Sequence, residues 1–312
     1  MNPSAPSDRV AVVLNPASGS TDGAVRRRRI ERFLAERGVE AHWLDTDRAD
    51  HTADRVRQWV ASGGSRVWVS GGDGTVRQVL AGTVGTRAVV AILPAGTGNL
   101  LARNLGIPLG LPEALEVAFA GHARAIDLAR TSEGELFALM GGIGLDGQVM
   151  ASTDRLAKGR FGVLAYVWAT LRHIRRRRLR ARLILDHRVR LRRRATSILI
   201  ANLGKIGPGV EAVPGASADD GELDIGIVKS HTPWQWFRLL ASLARGRIAD
   251  DPAMEIHRAT SVEIVVARPE PVELDGEALG QRVRLAVTVL PRAARVMVPG
   301  ASGAGSGARA DG

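Results

Sequence analysis

Three short apolar runs in the first hundred residues each end in a turn rich in glycine or asparagine, and this repetition limits the fold more than any other feature. Arg9 to Leu14 leads into Asn15-Pro16-Ala17-Ser18-Gly19, Arg66 to Ser70 into Gly71-Gly72-Asp73-Gly74-Thr75, and Ala88 to Leu93 into Pro94-Ala95-Gly96-Thr97-Gly98-Asn99. Short β-branched runs bounded in this way read as buried strands. Between them the spacing turns helical: Val25, Ile30, Phe33 and Leu34 mark a helix over Ala24 to Glu36, with Gly38 as its stop. Val39 to Leu44 reads as a strand, Ala49 to Ala61 as a helix, and Val76 to Leu80 as part of another. Such alternation predicts an α/β domain with a parallel sheet, whose ligands sit at the carboxyl ends of the strands. All three turns then fall on that one edge.

From about Leu128 the pattern changes to strand-like runs: Phe137 to Met140, Leu183 to Asp186, Ser197 to Asn202, Leu223 to Val228, Val262 to Val266 and Val283 to Leu290. These predict an antiparallel, β-rich second domain. The chain, 312 residues long, has room for two cores, and the expected division is 1–127 and 128–291, with a disordered small-residue tail at 299–312. The absence of cysteine excludes disulfides, thiolate metal sites and a cysteine nucleophile.

The net charge of +11 is almost all arginine, since the only lysines are Lys158, Lys205 and Lys229. Charge of this sign favours anionic partners, although a general bias towards Ala, Gly, Val and Arg also accounts for it. Part of the charge is clustered. Phe161, Leu164, Val167, Trp168 and Leu171 suit an amphipathic helix, followed by Arg175 to Arg178 and then Arg180, Arg182, Arg188, Arg190 and Arg192 to Arg194. That cluster suits an anionic bilayer, and equally a core helix followed by a solvated basic strand pair. Trp234 to Leu243 is a second amphipathic stretch, expected to face the core. Nucleic acid is not an expected partner: no zinc-finger spacing or RRM signature occurs, and aromatics are 4%. The start of the chain lacks a secretory pattern, and no apolar run reaches spanning length, so a cytoplasmic location is expected.

A glycine turn at the end of a strand brings backbone N–H groups close to a phosphate with no side chain in the way. Gly71 to Thr75 adds a carboxylate and a hydroxyl: Asp73 could help hold a Mg²⁺ that bridges phosphate oxygens, and Thr75 could donate to one of them. The alternative is a tight turn in which Asp73 is a cap. No lysine follows the glycines as a P-loop requires, and the first turn lacks Gly-x-Gly-x-x-Gly, so neither common nucleotide motif applies.

Taken in order, LNPASG (14–19), GGDGT (71–75), PAGTGN (94–99), GIGLDG (142–147), DDGELD (219–224) and LDGE (274–277) resemble the diacylglycerol kinase catalytic-domain family. The likeness is to its soluble bacterial lipid kinases, with sphingosine kinases as relatives. It spans roughly residues 9 to 298. The resemblance implies an NAD kinase-like architecture, with ATP in a cleft between an α/β domain and a C-terminal β-sandwich, and a C-terminal strand near 292–298 returning to the first domain. It implies transfer from ATP to a lipid hydroxyl, diacylglycerol giving phosphatidic acid, with Mg²⁺ as cofactor.

Carried over residue by residue, the ATP contacts are Asn15, Pro16, Ala17, Ser18, Gly19, Thr46, Gly72, Asp73, Gly74, Thr75, Val76, Arg77, Gln78 and Thr97. Glu277, in Asp275-Gly276-Glu277, matches the family's base, a carboxylate that accepts the proton of the attacking hydroxyl. An exposed glutamate after an Asp-Gly hairpin turn is the plain alternative. Asp73 and Asp127 match carboxylates around the catalytic centre, and Asp127 would equally serve to end a strand. Asp220, with the carbonyls of Ser217 and Glu222, matches a structural Mg²⁺ site. Many members carry Asp after the Asn of the third turn, where this chain has Leu100, which leaves room for a sphingosine- or ceramide-type acceptor. The partners implied are a lipid substrate at an anionic membrane surface, with peripheral association at the inner face, and, as an oligomeric option, a second copy of the chain. NAD kinase, which shares GGDGT, and a non-enzymatic nucleotide or lipid sensor stand as other readings.

Overall fold

The computed structural model describes residues 9–16, 23–44, 51–144, 178–207 and 210–300. The chain forms two compact units, one of Met1–Ile126 with Ala293–Gly312 and one of Asp127–Arg292.

The first unit is built on β1 (Arg9–Leu14), α1 (Gly23–Ala35), β2 (Glu40–Leu44), α2 (Thr52–Ala61), β3 (Arg66–Gly71), α3 (Asp73–Thr83), β4 (Val89–Pro94), α4 (Leu100–Asn104) and α5 (Leu111–Ala120). Its strands are parallel, with β4, β3, β1 and β2 side by side and Arg295 and Val296 pairing with Val89 and Val90 at the β4 edge. Alternation assigns the faces. Val10, Val12, Trp68, Ala91 and Leu93 share a core with Ile30 and Leu34 of α1 and with Leu111, Ala114, Leu115 and Ala118 of α5. The intervening strand residues point the other way, and α2 and α3 contact β1, β3 and β4. Both faces are therefore covered, which is why the strands read as continuous apolar runs. The short α4 and the whole of α5 were not expected, although Leu111, Ala114, Leu115 and Ala118 carry the i, i+3, i+4, i+7 spacing with Pro112 in the first turn.

The second unit begins within β5 (His122–Thr131). It continues through β6 (Leu136–Phe137), β7 (Met140–Ile143), β8 (Leu179–Leu185), β9 (Val189–Ala195), β10 (Ser197–Ala201), β11 (Lys205–Gly207), β12 (Val210–Glu211), β13 (Leu223–Val228), α6 (Pro233–Ala244), β14 (Met254–Ala259) and β15 (Ser261–Leu274). The last strand, β16, is 22 residues long (Glu277–Val298) and carries the chain back into the first unit. In the second unit β5–β6, β7–β10, β7–β15, β8–β9, β8–β15, β10–β13, β11–β12, β13–β14 and β15–β16 pair antiparallel. The long β15 serves two partners. Its Val262–Val266 segment pairs with β8, and its Val272–Leu274 segment pairs with β7. Leu183 and Leu185 of β8 nevertheless share one buried cluster with Ile198 and Ile200 of β10 and Ile225 and Ile227 of β13. The inward faces of two strand layers thus form a sandwich core.

Three expectations change. The run Phe137 to Met140 is not one strand but the junction of β6 and β7, because the amides of Ala138, Leu139 and Met140 donate to the Asp275 carboxylate instead of a neighbouring strand. The runs Val283 to Leu290 and 294–298 belong to a single strand, in which Arg292 adopts a left-handed conformation (φ 52°) immediately after Pro291. Helix α6 buries Leu239 and Leu240 but leaves Trp234 and Phe237 69% and 60% exposed, their rings stacked 5.6 Å apart. No helix among the described residues is long and apolar enough to cross a membrane.

Candidate functional site

In the first unit the three turns meet as the parallel sheet requires. The Asn15 amide donates to the Ser70 carbonyl and that of Ala95 to the Gly71 carbonyl, which keeps the strand ends level. The Asn15 side chain donates to the Thr75 hydroxyl (3.1 Å), linking the first turn to the second. The second and third are linked by Asp73, whose carboxylate accepts from the amides of Leu100 (3.1 Å) and Leu101 (3.2 Å) at the start of α4. Asp73 therefore caps a helix, but not its own. Within the third turn Asn99, in a left-handed conformation (φ 47°), binds both the amide and the carbonyl of Gly96.

Helix α3 starts at Asp73, so the amides of Asp73, Gly74 and Thr75 have no acceptor within the helix, and its dipole adds positive potential at that end. This is the geometry of an anion site. Gly74 is exposed, and a Cβ there would meet nothing within 4 Å. Val76 differs: its side chain is buried and its amide donates to the Gly72 carbonyl. Arg77 and Gln78 follow on α3, half-buried, while Thr97 and Pro16 are exposed. Ala17, Ser18, Gly19 and Thr46 lie outside the described residues, as does the Phe161 to Ile174 stretch.

Sequence reasoning missed Arg26. Its guanidinium donates to the Ser70 hydroxyl (2.6 Å) and to the carbonyls of Leu93 (3.1 Å) and Pro94 (2.7 Å), placing a cation at the carboxyl edge of β3 and β4. Burial, and then the neighbouring Arg29, hold its pKa below the ordinary value. Part of the signal was available: Arg26, Ile30 and Leu34 lie four apart on one helix face, but Arg27 shares that face by the i, i+3, i+7 spacing, and only the folded structure distinguishes the half-buried Arg26 from the exposed Arg27.

In the second unit Asp275 and Gly276 both have positive φ (49° and 86°) and join Leu274 to Glu277, which pair across the ladder. This is the two-residue hairpin that Asp-Gly favours. The Asp275 carboxylate accepts from Ala138 (2.9 Å), Leu139 (3.0 Å) and Met140 (3.0 Å), and its amide donates to the Met140 carbonyl (2.8 Å). Glu277, the first residue of β16, is exposed beside this anchored turn. Beneath the turn Glu273 is buried and accepts from the Gly276 amide (2.6 Å). Burial pushes its carboxyl up to about 7, the Gly276 bond opposes this, and Asp275 adds to the rise.

Asp127 is fully buried and accepts from the amides of Arg292 (2.6 Å) and Gly221 (2.7 Å). It thus ties the left-handed residue of β16 to the loop that carries Ser217, Asp220 and Glu222. Asn202, also unforeseen, donates to the carbonyls of Asp127 (2.9 Å) and Ala138 (2.8 Å), so Asp127, Asn202, Ala138 and the half-buried Asp275 form one chain of bonds. In the loop the Asp220 carboxylate accepts from the Glu222 amide (3.1 Å), and Ser217 donates its hydroxyl to Asp219 (2.7 Å). Burial raises the nearby Asp224 carboxyl, Arg258 opposes the rise, and Asp220 and Glu222 reinforce it. Among the described residues no group of three or more His, Cys, Asp or Glu side chains has a metal-holding arrangement.

Two family models account for almost the whole described chain: diacylglycerol kinase catalytic domain over residues 9–131, and YegS C-terminal NAD kinase beta sandwich-like domain over 141–298. A probable lipid kinase YegS-like of Pseudomonas fluorescens is 33% identical over 256 residues, 81% of this chain and 84% of the relative. A diacylglycerol kinase of Mycobacterium tuberculosis is 29% identical over 268 residues, covering 82% and 84%. An uncharacterized protein of Synechocystis sp. is 29% identical over 81% of this chain, which spans 60% of that relative's length. A crystal structure from Bacillus anthracis str. Sterne aligns with a TM-score of 0.77 at 23% identity, covering 94% of this chain and 98% of the other. At that identity the likeness speaks to the fold alone.

Proposed function

We propose that this chain, which belongs to the diacylglycerol kinase catalytic-domain family and is a lipid kinase, transfers the γ-phosphoryl group of ATP to the free hydroxyl of diacylglycerol, giving phosphatidic acid. The observation that carries the reading is the cradle at the start of α3, where three amides without helical acceptors stand at the carboxyl edge of the sheet beside Asn15 and Thr75. The choice of acceptor is supported by the M. tuberculosis relative, a diacylglycerol kinase over 82% of this chain.

In this reading the amides of Asp73, Gly74 and Thr75 bind phosphate oxygens, and Asn15 orients the Thr75 hydroxyl towards them. The Asp73 carboxylate does not touch the nucleotide; it positions the third turn through Leu100 and Leu101. Glu277 accepts the proton of the acceptor hydroxyl as that oxygen forms its bond to the γ-phosphorus. The bond from the γ-phosphorus to the β–γ bridging oxygen breaks, and ADP leaves. Asp275 anchors the turn that presents Glu277 by accepting from three backbone amides.

Mg²⁺ would be held by the Asp220 carboxylate and the carbonyls of Ser217 and Glu222, hard oxygen donors of the type the ion prefers. The loop places two carboxylates, Asp220 and Glu222, two residues apart, with the Asp220 carboxylate accepting from the Glu222 amide (3.1 Å). A Mg²⁺ ion there would order the loop bound to Asp127.

The test is turnover of Mg·ATP on diacylglycerol, sphingosine, ceramide and phosphatidylglycerol micelles, with Glu277→Ala as the control. Diacylglycerol should be phosphorylated, and the variant should lose transfer while still binding ATP. Turnover on sphingosine or ceramide alone would replace the acceptor, and an active Glu277→Ala enzyme would remove Glu277 from the base role.

A further inference from the structure

Five arginines of the β8–β9 hairpin share one face. Arg180 lies directly opposite Arg194, Arg182 opposite Arg192, and Arg190 opposite Ile184. Directly opposed residues point to the same side of a sheet, and all five arginines are exposed. Among the described residues none of them makes an ion pair. Arg193 provides an internal contrast. It points to the other side of β9 and is held by both carboxylate oxygens of Glu255 (2.8 to 3.0 Å).

Like charges directly opposite each other weaken a strand pair, so folding gains nothing from this arrangement and an external anion would relieve it. We propose that the exposed face of the β8–β9 hairpin is a docking surface for an anionic lipid bilayer. The arginines form an array around an open concavity of about 530 Å³ that Arg180, Arg182, Arg192, Arg194 and Val265 help to line. Arginines on one strand are spaced by two residues, roughly 7 Å, and the array runs roughly 14 Å along β9. That geometry meets several headgroup phosphates at once. Val265, paired with Arg182 on the adjoining strand and 37% exposed, sets an apolar group among the guanidiniums, as the boundary between headgroups and acyl chains favours. Nucleic acid would also supply phosphates, but β8, β9 and Ser261–Ala267 contain no aromatic residue on which a base could stack. The choice of a membrane rests on the lipid-kinase reading, because the acceptor resides there.

The test is co-sedimentation of the full chain with vesicles of phosphatidylglycerol and phosphatidylcholine, and of phosphatidylcholine alone, at low and high salt. Binding should require the anionic lipid and fall with salt. Arg182→Ser with Arg192→Ser should lower the partition coefficient about 30-fold, which is about 1 kcal/mol per basic residue. A charge-matched control, Arg57→Ser with Arg247→Ser, should change it much less. Thermal unfolding of both variants checks that they fold.

An equal drop in the two variants would overturn the proposal, because net charge alone would then explain binding. So would a drop confined to Trp234→Ser with Phe237→Ser, or loss of duplex-DNA binding in Arg182→Ser/Arg192→Ser with vesicle binding intact. Turnover of a short-chain, monodisperse diacylglycerol separates the two readings. If it is retained while vesicle binding ignores the arginines, only the docking surface fails. If it is absent while vesicle binding still drops, only the acceptor assignment fails.

Discussion

Gly72 and Gly96 bring two phosphate-type turns into backbone contact: a Cβ on Gly96 would lie 2.6 Å from the Gly72 Cα. No side chain fits there, so neighbouring parallel strands can end in turns that touch. Gly96→Ala should therefore destabilise the protein by about 1–3 kcal/mol, the usual cost of overpacking, read as a lower urea midpoint. Gly74→Ala should leave the midpoint nearly unchanged, because nothing lies within 4 Å of its added methyl, yet it should weaken ATP binding if phosphate approaches that amide. Equal stabilities for the two variants would contradict this account of Gly96.

Asp275 should matter through position rather than through contact with substrate. Its carboxylate is the acceptor for three consecutive amides, and bonds to a charged acceptor contribute about 1.5–3 kcal/mol each. Asp275→Asn retains one acceptor oxygen and turns an NH₂ towards donors. We expect a loss of about 3 kcal/mol in stability and a fall in kcat with little change in the KM for ATP. Glu277→Gln should abolish turnover as well, but with the unfolding midpoint kept. A stable, inactive Asp275→Asn protein would assign that carboxylate a chemical role instead.

Glu273 gives the protein a pH signature. Its folded pKa, about 7, lies above the ordinary value of 4.5, so between those limits the folded state binds more protons than the unfolded one. Its contribution is fully present below pH 4.5, declines as pH rises through 7, and differs by about 3 kcal/mol across that window. Glu273→Gln should remove this component, so the wild-type fall in unfolding free energy from pH 5 to pH 8 should shrink by about that amount. An unchanged difference would show that the carboxyl titrates normally.

What could be read from the sequence is what depends on residues near one another in the chain. The apolar runs of β1, β3 and β4, the Ile30–Leu34 stripe of α1 and the Asp275-Gly276 hairpin were all legible because periodicity and turn chemistry are local properties. So was the meeting of the three turns, since parallel strands end on a common edge. The highly charged β9 was legible only as half of a solvated basic strand pair, one of two open readings, because its pairing depends on β8 rather than on its own composition. The single β16 was also missed, since Pro291 reads as a stop, whereas in the fold the Arg292 amide donates to Asp127 and the strand pairs on both sides of the proline.

The sequence by itself determined an α/β unit with glycine turns on one edge, a β-rich unit after it, and the kinase family. The tertiary structure decided which backbone groups each polar side chain holds. Asp73 caps α4, Arg26 reaches the ends of β3 and β4, Asn202 links Asp127 to Ala138, and Asp275 takes the amides of a segment more than 130 residues away. The physical reason is that apolar burial follows from pattern, whereas a hydrogen bond needs one particular partner in reach, and that reach exists only once the chain is folded.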